Sequence, residues 1–164
     1  GSLRAHSTPG QGACFELCLP AAPHASAEDP VRAPAEAAAA RPHPPRRVLY
    51  IEDNETNAEV MRGVLAQRDW LHLEVATTGA AGLASARGQR PDLLLLDMHL
   101  PDMDGLEVLA ALRADPALAE VPVLAVSADA TAERIGRARA AGVQGYVTKP
   151  IDVPLLLAQI EQLI

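Results

Sequence analysis

The sequence predicts a doubly wound α/β sandwich over residues 47–164, on three observations. Short apolar runs alternate with amphipathic segments of helical period five times in about 118 residues. The connections are short, so the strands should run parallel with right-handed crossovers. Four of the five runs are apolar throughout, as expected of strands covered on both faces.

The elements follow in order. Val48-Leu49-Tyr50-Ile51 is an apolar run that stops at Glu52-Asp53. Asn54 or Asp53 can cap a helix reaching about Arg68, with Val60, Met61, Val64 and Leu65 on one face. Leu71-His72-Leu73-Glu74-Val75 alternates and reads as an edge strand with one wet face. A small-residue helix is expected from about Gly79 to Ala86. Leu93-Leu94-Leu95-Leu96 stops at Asp97, and its flanking Pro91 and Pro101 favour a short strand. A helix from Leu106 to about Ala114 presents Leu106, Leu109 and Leu112. Val121 to Val126 forms the next strand and stops at Ser127. A helix over about Thr131–Ala141 is closed by Gly142. Gln144 to Thr148 stops at Lys149. In the last helix Asp152 is the cap, Pro154 lies in the first turn, and Leu155, Leu156, Ile160 and Leu163 point inward.

The first 46 residues have a different texture. In residues 1–19, Phe15, Leu17 and Leu19 alternate with Glu16 and Cys18, a half-buried strand pattern. Residues 20–46 hold 7 of the 14 prolines and an alanine run at 37–40, which is the composition of a semi-stiff linker.

Composition narrows the function classes. Hydrophobic residues make up 49% and aromatics only 2%, so the core is aliphatic. No apolar run approaches the roughly 18 residues of a membrane span, and no signal-peptide pattern opens the chain. A net charge of −7 argues against a nucleic-acid partner. Cys14 and Cys18 would share a strand face roughly 13 Å apart, too far for a disulfide. They read as reduced cytoplasmic thiols. Of the 14 basic residues, Lys149 is the sole lysine. An ammonium is a compact point charge where arginine is a flat fork, so a small anion site could require it.

In parallel α/β sheets, ligands bind outside the carboxyl ends of the strands. Those ends carry Glu52-Asp53, Asp97, Ser127 and Lys149. Clustered carboxylates resist joint ionisation unless a cation joins them. Oxygen ligands with room for water suit Mg²⁺. A carboxylate can attack phosphorus to form an acyl phosphate, while Lys149 and the metal neutralise the phosphoryl oxygens and Ser127 donates a hydrogen bond. A single acidic residue after a strand is ordinarily a helix cap; four strands ending in the right residue types point to a site.

At these positions the chain resembles the receiver domain of two-component response regulators, over residues 47–164. The matching segments are Val48 to Asn54, Asp97 to Gly105, Val126-Ser127-Ala128 and Lys149-Pro150, in order. The resemblance implies a flavodoxin-like five-stranded parallel sheet of order 2-1-3-4-5. It implies that Asp97 is the phosphorylated aspartate and that Lys149 contacts the phosphoryl group. Asp53 would bind Mg²⁺ directly, Glu52 through water, and the His99 backbone carbonyl would complete the set, with Mn²⁺ able to substitute. Ser127 would be the hydroxyl that moves to the phosphoryl oxygen, and Tyr146 the aromatic that turns with it. Ala128 leaves the site open, and Pro150 matches a cis-proline position. His99 and Asp129 fall where family members tune hydrolysis. The implied partners are a histidine kinase or a histidine phosphotransfer domain, and the expected output surface is the face of the fourth helix, fifth strand and fifth helix.

Residues 1–20 are similar to the end of a histidine-kinase ATP-binding domain, where two strands flank a Pro-Gly-x-Gly turn. This implies a hybrid histidine kinase as the parent, cytoplasmic in this part, with any membrane anchor upstream, and dimeric through its kinase part. With no DNA-binding domain after Ile164, a phosphorelay intermediate is expected. The fragment itself would catalyse only its own phosphorylation and dephosphorylation.

Other readings make different demands. An interaction module that signals without phosphate would usually have lost the acceptor, the acid pair or the lysine, and none is lost. Mg²⁺ binding, read by Trp70 or tyrosine fluorescence, separates the two. A flavin-binding domain needs a phosphate loop where Glu52-Asp53 would repel phosphate. Asp97-Met98-His99 also departs from the Asp-x-Asp-x-Thr pattern of haloacid-dehalogenase-type phosphatases.

Overall fold

The computed structural model describes residues 2–8, 12–18, 43–129 and 131–164. By its internal contacts the chain divides into two units, residues 1–41 and 42–164. In the first, β1 (Ser2–Thr8) and β2 (Gly12–Cys18) pair antiparallel, Ser2 opposite Cys18 and Thr8 opposite Gly12. Cys14 and Cys18 are free and exposed, and the two-residue period puts them on one face. The expected Pro-Gly-x-Gly turn, Leu19 and the linker up to Pro42 lie wholly or partly outside the described residues.

In the second unit, β3 (Arg46–Ile51), β4 (Leu71–Ala76), β5 (Leu93–Asp97), β6 (Val123–Ser127) and β7 (Gly145–Thr148) form one sheet. Every pairing is parallel, in the order β4-β3-β5-β6-β7. Numbered within the sheet this is 2-1-3-4-5, the order that the family resemblance implies. The helices are α1 (Glu55–Leu65), α2 (Gly79–Gly88), α3 (Gly105–Ala114), α4 (Ala132–Ala140) and α5 (Val153–Leu163).

Strand side chains alternate between two cores. Leu49, Ile51, Leu94 and Leu96 pack with Leu83 of α2, Val108, Leu109 and Leu112 of α3, and Ala138 of α4. Val48, Tyr50, Leu93 and Leu95 pack with Met61, Val64 and Leu65 of α1 and Leu156, Leu157 and Ile160 of α5. Burying a large aliphatic side chain contributes about 1.5–3 kcal/mol, so both sheet faces are closed by leucine and valine.

Several expectations are corrected. The first helix ends at Leu65 because the amides of Gln67 and Arg68 turn back three residues, to the Val64 and Leu65 carbonyls. Val60 is half exposed, and the stripe runs through Ala58, Met61, Val64 and Leu65. In α5, Leu155 is exposed and Leu157 takes its expected place, because a 3.6-residue period links 153, 156, 157 and 160. Strand β7, expected among the strands covered on both faces, is the second edge, so Thr148 is exposed and Tyr146 only half-buried. The chain enters β3 two residues before the expected run, at Arg46, which pairs with Leu71. Just before it, His43 stacks on Trp70 with ring centroids 4.6 Å apart.

The expected helix caps form. Asn54, rather than Asp53, accepts the Asn57 amide. Asp152 caps α5 with Pro154 in the first turn, and Asp104 and Glu107 add a reciprocal capping box on α3 that the sequence analysis does not single out. Gly142 closes α4 at φ +100, a left-handed conformation that favours glycine.

Candidate functional site

Four parallel strands end together at the carboxyl edge of the sheet. β3 delivers Glu52 and Asp53, β5 delivers Asp97, β6 delivers Ser127, and β7 is followed by Lys149. Carboxylate oxygens of Glu52, Asp53 and Asp97 lie within 4.8 Å of one another. Glu52, Asp97 and Ser127 are buried, whereas Asp53 faces solvent.

Lys149 Nζ is 2.6 Å from Glu52 Oε2 and 2.6 Å from Asp97 Oδ2. The other Asp97 oxygen, Oδ1, accepts the His99 amide at 2.9 Å. Glu52 is the most heavily bonded group. Its Oε2 also accepts the Tyr50 hydroxyl at 2.5 Å, and its Oε1 accepts Asn57 Nδ2 at 2.9 Å and the Asn54 amide at 3.2 Å.

These contacts set the charges. Burial pushes Glu52 up, but the bonds from Lys149, Tyr50 and Asn57 outweigh it and hold the carboxyl below its ordinary value. Asp97 is raised, because burial and the neighbouring Glu52 outweigh the help from Lys149 and the His99 amide. Burial opposes the charge on Lys149, yet its two carboxylate partners raise it, so it stays an ammonium. The Tyr50 phenol is raised by burial and by Glu52 and stays protonated.

Three carboxylates face one ammonium, a formal excess of two negative charges. All the donors are oxygens, and Asp53 opens to solvent. That set fits a hard divalent cation that keeps water ligands, as Mg²⁺ does.

Ser127 Oγ accepts the Asp129 amide at 3.2 Å, and the Tyr146 hydroxyl donates to the Asp129 carbonyl at 2.5 Å. The Ser127 and Tyr146 pair is therefore joined through one residue's backbone. Ala128 is exposed beside them, and the Lys149–Pro150 peptide is cis. The His99 ring meets Arg134 Nη1 at 3.0 Å, while Asp129 pairs with Arg134 Nε at 2.9 Å.

Sequence reasoning missed Tyr50, Asn57 and Arg134. Tyr50 had a legible signal: it lies two residues before Glu52 on the same strand face. Asn57 is the one polar side chain of the first turn of α1 that reaches back to Glu52. Nothing local marks Arg134. Trp70 precedes β4, at the amino end of the strands, so tyrosine is the usable reporter of this site and Trp70 is not.

A parallel five-stranded sheet with an acid cluster, a lysine and a hydroxyl on its carboxyl edge defines a receiver domain of two-component signalling. The chain belongs to the response regulator receiver domain family, whose model matches residues 48–161. It is 37% identical over 117 residues to the polar-differentiation response regulator DivK of Brucella anthropi, covering 71% of this chain and 94% of that protein. DivK of Brucella ovis is 35% identical over 116 residues, with coverage of 71% and 94%. Among solved structures, the receiver domain of a Pseudomonas aeruginosa sensor histidine kinase has a TM-score of 0.67 at 27% identity, covering 73% of this chain and 97% of that one. That structure has a magnesium ion coordinated in its active-site cleft. A chemotaxis response regulator of Vibrio cholerae has a TM-score of 0.68 at 25% identity, with coverage of 73% and 99%.

A phosphoacceptor role follows from the family, as do Mg²⁺ binding at an acidic site and partnership with histidine kinases or phosphotransfer proteins. Among the described residues, no helix is long and apolar enough to cross a membrane.

Proposed function

We propose that Asp97 accepts the phosphoryl group of a phosphohistidine. The supporting observation is its environment: Lys149 at one carboxylate oxygen, the His99 amide at the other, and two further acids within 4.8 Å. An Asp97 oxygen attacks phosphorus, the bond from phosphorus to the donor imidazole nitrogen breaks, and the electron pair leaves with the ring. Lys149 follows the transferred group and neutralises its oxygens. Ser127 turns its hydroxyl proton to a phosphoryl oxygen.

Asp53, Asp97 and the His99 backbone carbonyl would hold the metal directly, with Glu52 acting through water. The four donors already on Glu52 support that division. A bound Mg²⁺, or Mn²⁺ in its place, would supply positive charge at the phosphoryl oxygens. Ala128 leaves room for the phosphoryl group, and Pro150 holds the family's cis-proline position after Lys149. His99 and Asp129 set the rate of hydrolysis. Ser127 and Tyr146 carry the switch to the face of α4, β7 and α5, a shift between two populated arrangements.

The parent is a hybrid histidine kinase, cytoplasmic in this part and dimeric through its kinase domain, with residues 1–19 ending the ATP-binding domain. The antiparallel pairing of β1 and β2 supports this reading. So does the likeness to a sensor histidine kinase receiver.

Intact mass after incubation with Mg²⁺ and a phosphodonor tests the acceptor. With acetyl phosphate or a phosphohistidine donor, the chain should gain one phosphoryl group and Asp97→Ala none. An unmodified parent chain with both donors, or an equally modified Asp97→Ala variant, refutes the assignment.

A further inference from the structure

Arg134 lies in the first turn of α4, outside the acid cluster, and one guanidinium holds two loops together. Its Nε pairs with Asp129 Oδ2 at 2.9 Å, and its Nη1 meets His99 Nε2 at 3.0 Å. A guanidinium only donates, so the imidazole nitrogen accepts. The two partners are not arbitrary. The backbone amide of His99 holds Asp97, and that of Asp129 holds Ser127. Arg134 therefore joins the residue that positions the acceptor carboxylate to the residue that positions the hydroxyl. The Tyr146 hydroxyl fastens the same Asp129 from behind, through its carbonyl.

We propose that Arg134 is a positioning residue that clasps His99 and Asp129 across the mouth of the phosphorylation site and lengthens the life of the acyl phosphate. The inference rests on Asp97 being the acceptor. Hydrolysis puts a water oxygen on phosphorus and breaks the bond to the Asp97 oxygen. The products are the carboxylate, inorganic phosphate and a proton released to solvent. The water must approach from the side opposite Asp97, through the mouth between the loops after β5 and β6. With the clasp closed, the His99 and Asp129 side chains are tied to one guanidinium and are less free to leave that mouth. With it open, each is free to swing away.

Both pairs are partly exposed, with Arg134 and Asp129 side chains 45% and 35% accessible. Exposed ion pairs are weak, so the effect is modest, about two- to fivefold in rate. Geometry matters more than charge, because a lysine ammonium lacks the fork that reaches two partners at fixed angles.

The test measures loss of the phosphoryl group after rapid removal of acetyl phosphate, with Mg²⁺ present. Arg134→Ala and Arg134→Lys should both shorten the lifetime about two- to fivefold, while Mg²⁺ affinity stays at the parent value. In a His99→Ala/Asp129→Ala background, Arg134→Ala should add nothing, because the partners are gone. Unchanged or longer lifetimes, full retention by Arg134→Lys, or an undiminished effect in that background overturns the clasp. A second readout needs no phosphate. In the unmodified protein the Arg134 Nε–H resonance should exchange with water more slowly than that of exposed Arg139, and the protection should fall in Asp129→Ala. An unprotected Arg134 refutes the clasp whatever Asp97 does. A parent chain that takes no phosphoryl group refutes the acceptor assignment instead.

Discussion

Tyr50→Phe removes one oxygen from the most buried part of the site. Tyr50 is fully buried, Glu52 is 1% exposed, and the hydrogen bond between them is 2.5 Å long. A hydrogen bond to a charged group contributes about 1.5–3 kcal/mol. Glu52 keeps Lys149, Asn57 and the Asn54 amide, so the carboxylate is not stranded and the loss should be about 2 kcal/mol. Unfolding entropy near 2.1 cal/mol/K per residue, over roughly 120 residues, turns this into a fall in Tm of about 8 °C. The assay is thermal and urea unfolding of both proteins without metal, with the urea m-value expected to stay constant. The pH dependence has a definite sign. Glu52 sits below its ordinary value of 4.5 in the folded state, so the stability it contributes is present above that pH and lost as pH falls through the lowered folded value. The stability gap between the parent and the Tyr50→Phe variant should therefore be constant near neutrality and narrow in acid. A Tm for the variant within about 1 °C of the parent at neutral pH, where about 8 °C is expected, or a gap that widens in acid, refutes the reasoning.

Mg²⁺ should raise stability by mass action, by about 2.7 kcal/mol at roughly a hundred times its dissociation constant. Asp53→Asn should abolish that gain in a metal titration followed by urea unfolding, while the metal-free protein keeps its fold, because Asp53 is exposed. Gly105→Ala should destabilise by about 1–3 kcal/mol, the range for overpacking, because a Cβ there would lie 2.8 Å from Met98 Cα and 2.9 Å from the Asp97 carbonyl oxygen. Both neighbours are backbone and cannot rotate away, so urea unfolding should register the full loss.

Much of this domain was legible because the informative signals are local. An apolar run that ends on a charged residue names both a strand and its carboxyl end, and the parallel topology brings those ends to one edge. Glu52, Asp53, Asp97, Ser127 and Lys149 were read in this way and lie together as expected. Errors gathered where a local pattern had more than one solution. Val60 and Leu155 are apolar residues beside a helix stripe, and only packing against the sheet decided that Leu157 is buried and Leu155 is not. Strand β7, Gly145–Thr148, is short and mixed in character, and its position at the edge depends on what lies beyond it, which no strand sequence records.

By itself, then, the sequence determined the alternation of strands and helices, the caps, and which residue types stand at each strand end. Each of these depends on a few consecutive residues and a backbone period. Tertiary structure alone decided how those groups are held. Lys149 meets Glu52 across 97 residues of chain, and Arg134 reaches His99 across 35. Such contacts depend on the distance and angle at which helices pack on the sheet. The sum of many weak apolar contacts sets that geometry, and no short window of sequence contains it.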